Sequence, residues 1–366
     1  MFSRRSRPWF ASCLMSLASL WLAVSTTRAQ SEPSGLVRPT YTLAGTDIFG
    51  NTKTPDSVIL GILNIPEGAE IDPQIVTALD EKLRASGKFA YSRVSSTAYG
   101  DLKTYLTVDI VEKGEERRLQ LNPAPTGSVA VPRELIDWVH RYEKASQEAF
   151  QTHPKRLRDL QDGHYLDSDE GVRKYEEKML EMVPKNYDVL VKALGEDKDP
   201  ETRAACAMLL GWAADKKAVI VPLEAALKDP SVQVRTKAAR SLVPIAYHAA
   251  HTAVLFPLNP VLDLLHQPTS PDRTKALAIL LQLAEDPVHQ AVIREKAGEL
   301  LVKIAGARQP VQREHAVVLL TLITGEEYGR DVGKWQAWWK AQKAGTWSPS
   351  KKKEASKSLK PSGGNR

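Results

Sequence analysis

Residues 227–246 read LKDPSVQVRTKAARSLVPIA, and this stretch decides the fold of the largest part of the chain. Asp229 and Pro230 are a helix-start signal, because an aspartate accepts hydrogen bonds from free N–H groups and a proline needs none in the first turn. Ala238 and Leu242 follow Arg235 by three and seven residues, so they share one helical face. The stretch therefore predicts a capped helix with a buried face of small and apolar residues.

The same pattern occurs four times between residues 186 and 324. Each copy has an arginine, then a small residue at the third position and a leucine at the seventh; the arginines are Arg203, Arg235, Arg273 and Arg313. Another apolar helical run precedes each copy. Helix pairs that repeat every ~30 to 47 residues are typical of an α-solenoid, in which each pair buries its apolar face against its neighbours.

Residues 186–324 resemble HEAT repeats, in particular the short bacterial kind shared with phycobilisome-lyase-like proteins. The stretch 227–246 carries the resemblance best, and the third copy departs from it by a second proline, Pro271. The resemblance implies an all-α solenoid that serves as a binding scaffold. On the residues alone, an ordinary helical bundle remains the alternative.

Residues 39–113 form a second pattern, of strand and helix signals in alternation. A strand is predicted at 41–47, two helices begin after Thr54 and Asp72, and two strands follow at 89–98 and 102–112. The last strand alternates, with one face formed by Leu102, Thr104, Leu106, Val108 and Ile110 and the other by Lys103, Tyr105, Thr107 and Asp109. The order strand–helix–helix–strand–strand predicts a small α+β domain.

This region resembles a POTRA domain in Gly50-Asn51 after the first strand, Gly68 before the second helix, Gly87-Lys88-Phe89 after it and Val111-Glu112 at the end. The resemblance implies a periplasmic binding module that accepts an extended partner segment along strand 89–98 at the sheet edge. Such pairing uses backbone groups of the edge strand. The predicted partner-binding residues are Phe89, Tyr91, Ser92, Arg93, Val94 and Ser95. A domain that only serves as a spacer is the alternative.

Residues 1–29 have the pattern of a secretory signal peptide: arginines, an apolar run and the small-residue site Thr27-Arg28-Ala29. We expect an exported protein of the periplasm or the outer-membrane periphery, or a secreted one, with no transmembrane span after cleavage. The net charge of +6 comes from the two ends, since 1–29 hold four arginines and 340–366 hold eight Lys or Arg. Specific nucleic-acid binding is therefore not expected.

The remaining segments are predicted to connect and close the solenoid. Residues 114–131 are a predicted linker and 132–185 a helical cap on the first repeat. Within 325–345, Trp335, Trp338 and Trp339 share one helical face that either seals the array or forms a partner site. Residues 346–366 are rich in Lys, Ser, Pro and Gly and predict a disordered basic tail that contacts anionic surfaces weakly.

Residues with catalytic or metal-binding spacing do not stand out. His248 and His251 lack the rest of a zinc motif, and the acidic residues within 161–171 lack calcium-loop spacing and read as a polar turn, with Asp169 capping the next helix. Cys206 occupies a small-residue position and predicts packing. No metal or cofactor is expected.

Together the patterns predict a multidomain protein: a small α+β POTRA-like domain followed by an all-α HEAT-like solenoid. The function expected is a non-enzymatic adaptor or scaffold of the cell envelope that binds protein partners, beside outer-membrane assembly or transport machinery. The alternative is a lyase-like HEAT-repeat protein that handles a small ligand or cofactor. A tether between envelope layers is the third hypothesis.

Overall fold

The computed structural model describes residues 40–119, 121–153, 156–252 and 254–348. The predicted signal peptide at 1–29 and all but the first three residues of the predicted tail lie outside these described residues. The described chain consists of an α+β module, a cap with a small hairpin, and an array of helix pairs.

The amino-terminal module is a four-stranded sheet with two helices. Its elements are β1 (Tyr41–Phe49), α1 (Asp56–Leu63), β2 (Glu70–Ile71), α2 (Pro73–Ala85), β3 (Phe89–Ala98) and β4 (Lys103–Glu112). The sheet order is β2-β1-β4-β3, with β1 parallel and β3 antiparallel to β4. The predicted α+β order is confirmed, the short strand β2 is added, and β3 lies at one edge of the sheet.

The module core forms because alternate residues of β4 face the two helices. Leu106, Val108 and Ile110 are buried there with Ile59 and Leu83. Apolar side chains that repeat with a period of two along a strand lie on one face, which explains this burial.

The turn after β1 is held by one carboxylate from the end of β4. Glu112 Oε1 accepts the backbone N–H groups of Thr52, Lys53 and Thr54 at 3.2, 2.9 and 2.7 Å. Gly50 begins this turn with φ of +91°, and a Cβ there would lie 2.0 Å from the Ile110 carbonyl oxygen. The turn therefore requires both a glycine and a carboxylate.

Replacing Glu112 by glutamine is expected to lower the free energy of unfolding by about 2 kcal/mol at neutral pH, because an ionised acceptor makes stronger hydrogen bonds than an amide. Although burial raises the pKa of Glu112, the bonds from Thr54, Lys53 and Thr52 outweigh it and lower the pKa. A lowered carboxyl pKa gives stability that is present above the unfolded-state pKa and is lost as pH falls through the folded-state pKa.

Urea unfolding of Glu112→Gln and the parent at several pH values measures this effect. The difference should be largest near neutral pH and should vanish in acid. Glu70→Gln, at an exposed position of β2, is the matched control and should unfold like the parent. An equal loss for both variants would contradict the role given to Glu112.

The cap on the array contains two helices and a β-hairpin. Its elements are α3 (Arg133–Thr152), β5 (Arg158–Gln161), β6 (His164–Asp167) and α4 (Glu170–Met182). The expected polar turn is instead this hairpin, whose two-residue loop is Asp162-Gly163 with φ of +43° and +77°. Asp-Gly suits such loops because both positions need positive φ. Asp169 precedes α4 as expected, but its carboxylate lies 2.9 Å from His153 Nδ1.

The array consists of four helix pairs and a closing helix in the described residues. The first helices are α5 (Tyr187–Glu196), α7 (Lys216–Ala225), α9 (Asn259–Leu265) and α11 (Pro287–Ala305). The second helices are α6 (Pro200–Leu209), α8 (Val232–His251), α10 (Ser270–Leu283) and α12 (Pro310–Thr324). The closing helix is α13 (Val332–Lys343).

The second helices pack side by side along the whole array, whereas successive first helices touch at few points. The second helices α6, α8, α10 and α12 therefore line one side of the array, which we call its inner surface. The run at 254–266, predicted as helical, contributes only the short helix α9. Pro257 disfavours helical backbone before it, and Pro260 is suited to the first turn of α9.

The segment 114–131, predicted as a linker, is fastened to the array. Asn122 N donates to the Lys228 carbonyl at 2.7 Å, and Val129 N donates to Asp197 Oδ2 at 2.7 Å. Gly127 forms a bridge with Asp197. These bonds satisfy backbone groups of a proline-containing segment that forms no ladder of its own.

Candidate partner-binding surfaces

The arginines of the repeat pattern tie each repeat to the next. The Arg203 guanidinium donates to both carboxylate oxygens of Asp229 at 2.7 and 2.9 Å. Arg235 contacts Asp272 at 2.8 and 3.0 Å. Both pairs are buried, and each joins one helix pair to the following one. Two-point contact with a carboxylate matches the planar fork of an arginine. We call Arg203, Arg235, Arg273 and Arg313 the arginine row.

The third member of the row bonds to the amino-terminal module. Arg273 Nη2 donates to Asp109 Oδ1 of β4 at 2.8 Å, and its Nε donates to Gln312 Oε1 at 3.0 Å. Gln312 immediately precedes the next arginine, where the third repeat has Asp272. The fourth repeat thus offers Arg273 an amide instead of a carboxylate, and the sheet supplies the missing charge.

Other contacts dock the same sheet face on the start of α12. Asp47 of β1 accepts the backbone N–H groups of Arg308 and Gln309 at 2.6 and 2.8 Å. The Arg308 guanidinium pairs with Glu67 at 2.7 Å. The ring of Phe49 lies 3.8 Å from the guanidinium centre of Arg273, within the range of a cation–π contact. The module and the array are therefore in direct contact through a polar interface.

Burial of the interface raises the pKa values of its two carboxyl groups, Asp109 and Asp47. Asp109 is 1% exposed, and burial raises its pKa, while the charge and hydrogen bond of Arg273 oppose the rise. Burial likewise raises the pKa of Asp47 against the N–H donors of Arg308 and Gln309. A buried carboxylate is stabilised only by such partners, so the loss of Arg273 would leave an unpaired charge.

Docking occupies one face of the sheet, α1 and α2 cover the other, and β3 is left at the edge. Tyr99 N donates to the Lys103 carbonyl across the hairpin, whereas Val94 N donates to Asp80 Oδ1 of α2 at 2.8 Å. Because backbone groups alternate in direction along a strand, the amides of Ser92, Val94 and Ser96 point away from β4. Within the described chain, the Asp80 carboxylate accepts the hydrogen bond of the Val94 amide, and the amides of Ser92 and Ser96 have no hydrogen-bond partner.

A shallow groove runs beside this edge between β3 and the end of α2. Its volume is about 300 Å³, and it is lined by residues 89–93 with Leu83 and Arg84. The lining combines apolar side chains with Arg84, which pairs with Asp80, and with the exposed Arg93. An extended segment could lay one apolar side chain in this groove while its backbone meets the edge.

The structure places the six predicted edge residues on β3 but gives them different surroundings. Val94 is buried against the helices, so neither its side chain nor its amide is available to a partner. Tyr91 is half-buried, and burial, followed by the charge of Asp109, raises the pKa of its phenol to about 12. Arg93 is exposed. The edge therefore offers mainly its backbone.

The aromatic face at the end of the array points inward. Trp335 and Trp338 are buried, and Trp335 Nε1 donates to the Gly329 carbonyl at 2.8 Å. The Trp339 ring covers Gly298 of α11 so closely that a Cβ there would lie 2.5 Å from it. These residues cover the end of the array.

Part of the inner surface is covered by the cap. The Tyr142 ring of α3 packs edge-on against Trp212 with ring centres 5.4 Å apart, and Glu143 pairs with Lys237 of α8. Strand β6 also packs on α8. The cap thus packs on the first two second helices, α6 and α8.

Other candidate residues have packing roles. Cys206 is buried, and burial raises the pKa of its thiol to about 12, so it is a poor nucleophile at neutral pH. In the described ranges, no three His, Cys, Asp or Glu side chains gather as metal ligands would. Nor does any helix of the described chain have an apolar stretch long enough to span a bilayer.

Sequence reasoning missed Asp109, Arg273 and Asp80 as determinants of the surface. A signal existed for the first two, since Asp109 is the acidic residue on its predicted face of β4 and Arg273 belongs to a regular row. Nothing in local spacing links them, because they are 164 residues apart.

Comparison with known families matches two parts of the chain. Residues 41–113 match POTRA, the surface antigen variable number repeat, and residues 187–301 match HEAT repeats. No curated protein matches the chain. The first range coincides with the module from β1 to β4, and the second covers most of the array. Both families are generally protein-interaction modules, which supports an adaptor or scaffold role. The chain thus carries a POTRA domain followed by an array of HEAT repeats.

Proposed function

We propose that this protein is an exported, non-enzymatic adaptor of the cell envelope that binds an extended protein segment along β3. The observation that carries the proposal is the arrangement of the sheet: its face is docked on the array by Asp109 and Arg273, and its β3 edge keeps outward amides. A sheet edge with unpaired amides beside a groove is the geometry that strand addition uses.

The arrangement also defines how a partner strand would pair. The amides of Ser92 and Ser96 can donate to it, while the intervening amide of Val94 is bonded to Asp80. We propose that the partner strand accepts hydrogen bonds from the amides of Ser92 and Ser96. Asp80 keeps the partner from pairing with the amide of Val94 between them. The exposed guanidinium of Arg93 favours a segment that carries an acidic residue near the groove.

Support for the cellular setting comes from the sequence. The pattern at 1–29 supports export, and the POTRA domain supports a place beside outer-membrane assembly or transport machinery. The HEAT array supports a second protein-binding surface, since such arrays present extended inner surfaces. With the edge, this surface would let one molecule hold two partners.

Replacing both Ser92 and Ser96 by proline is expected to weaken partner binding about thirtyfold, because two hydrogen bonds worth about 1 kcal/mol each are lost. The variant with alanine at both positions keeps the N–H groups and is the matched control. Val94 is unsuitable for this test, because its side chain and amide hold the module together.

The assay is a pull-down from envelope extract with the full chain, followed by titration of the partner that mass spectrometry identifies. Equal melting temperatures for the proline and alanine variants would show that both are folded. Loss of the partner with proline only supports the adaptor function. Equal retention by both variants would contradict the assignment of β3 as the site.

A further inference from the structure

The inner surface carries a row of basic side chains at one position of the repeat. Lys237, Lys275 and His315 each lie two residues after an arginine of the arginine row, in α8, α10 and α12. Because these helices pack side by side, the three side chains follow one another along the inner surface. Each is partly buried rather than extended into solvent.

The first lysine of this row has a partner from the cap. Glu143 of α3 reaches across the inner surface and forms an ion pair with Lys237. The cap thus supplies both the apolar cover and the carboxylate for this part of the array. This contact shows how the repeat position is neutralised where the inner surface is covered.

The equivalent lysine in the next repeat has no such carboxylate. Burial, followed by the charges of the nearby Arg240 and Arg158, lowers the pKa of Lys275 to about 8. In the described part of the chain, no hydrogen bond or ion pair reaches its ammonium group. His315, one repeat further on, has a buried Nδ1 atom without a partner among the described residues.

The acidic groups around this surface are already engaged. Glu176 lies 3.7 Å from Arg158, and Asp167 lies 2.8 Å from Arg156. Glu314, beside His315, pairs with Arg313 and Arg330 at 3.2 and 2.7 Å. Lys275 therefore remains an uncompensated cation on the inner surface, near Arg158 of the cap.

We propose that Lys275 is a binding site for a carboxylate of an acidic segment from a partner protein, which lies on α10 and α12. The chemistry follows from Lys237, whose ligand at the same repeat position is the Glu143 carboxylate. The partner segment continues the cover that α3 provides over the preceding repeats. This inference deepens the proposed adaptor function and rests on it, but it concerns a surface separate from β3.

A stability effect follows from the same arrangement. A partly buried ammonium without a counter-charge destabilises the folded state, so its removal should raise the melting temperature. Binding sites commonly keep such unfavourable groups at some cost in stability. Lys275→Met, which keeps the length of the side chain and removes the charge, should therefore be folded and more stable than the parent.

The test is calorimetric titration of the full chain, at low ionic strength, with a synthetic peptide in which glutamate and alanine alternate. We expect Lys275→Met to weaken binding about tenfold, the effect of one ion pair of about 1.4 kcal/mol. Lys192→Met, at an exposed position of α5, is the matched control and should bind like the parent. Both variants retain the basic tail, so its contribution cancels.

Unchanged affinity for Lys275→Met, or equal losses for both variants, would overturn the proposal. Tighter, Lys275-dependent binding of inorganic pyrophosphate or a short RNA would also overturn it, because the site would then be one for phosphate. The variant with proline at Ser92 and Ser96 should bind the acidic peptide normally. If it does not, the peptide occupies β3, and this inference fails while the adaptor function stands.

Discussion

Replacing Arg273 by alanine is expected to lower the free energy of unfolding by about 3 to 5 kcal/mol, the cost of leaving a buried charge without its partner. Asp109 would lose the contact at 2.8 Å, and the ring of Phe49 would lose the guanidinium that covers it. Few surface contacts have an effect of this size. Urea unfolding, followed by circular dichroism, measures it.

A matched substitution and a rescue separate the ion pair from a general loss of packing. Arg330→Ala removes the same side chain from a largely exposed pair with Glu314 and should leave stability close to that of the parent. Adding Asp109→Asn to Arg273→Ala should restore part of the loss, because the uncompensated charge disappears. If the second substitution destabilises the protein further, the lost contact is not the one between Asp109 and Arg273.

Replacing Arg235 by alanine is expected to cost a similar amount, about 3 to 5 kcal/mol, for the same physical reason. Arg235 and Asp272 are 2% and 1% exposed, and the arginine also donates to the carbonyl of Asp229 at 2.7 Å. Each repeat contacts mainly its neighbours, so the break should separate the array between its second and third repeats. Hydrogen exchange during urea unfolding should show α10 and α12 opening before α6.

The control for this prediction links the same two repeats at the surface. Lys228 pairs with Asp263 at 2.8 Å, and both side chains are largely exposed. Lys228→Ala should therefore unfold close to the parent. If Lys228→Ala lowered the free energy of unfolding by a comparable amount, the loss of any contact between these repeats would have the same effect. The special role of the arginine row would then be wrong.

The repeat architecture could be predicted because it follows from the spacing of residues that are close in sequence. Arg235, Ala238 and Leu242 define a helical face from one short stretch, and the same spacing occurs in each repeat. The strand and helix signals of the amino-terminal module are equally local. Both predictions depend on contacts between residues a few positions apart, which spacing along the chain reveals.

The docking of the sheet on the array could not be predicted in this way. Asp109 was assigned only to the other face of β4, and nothing in the strand pattern says that a distant arginine covers it. The substitution of Gln312 for an aspartate gives a hint, since it leaves Arg273 without a carboxylate from its own array. The absence of that carboxylate points to Asp109 only when the structure shows β4 beside α10.

Two further differences have local causes. The hairpin around Asp162-Gly163 was missed although Asp-Gly is a strong signal for a two-residue loop, because the flanking strands have only four residues each. The short helix α9 was predicted too long because its apolar residues were weighed above the restriction that Pro257 imposes.

The central claim is that the POTRA module and the HEAT array form one folded unit, joined through β4, which leaves β3 as the available edge. Native-state hydrogen exchange of peptides from 103–112 and from α10 tests it most directly. One unit predicts that both peptides exchange through the same cooperative opening and that Arg273→Ala accelerates β4 exchange. If β4 opens independently of α10 in the parent, at a rate that Arg273→Ala leaves unchanged, the two parts are separate and the claim is wrong.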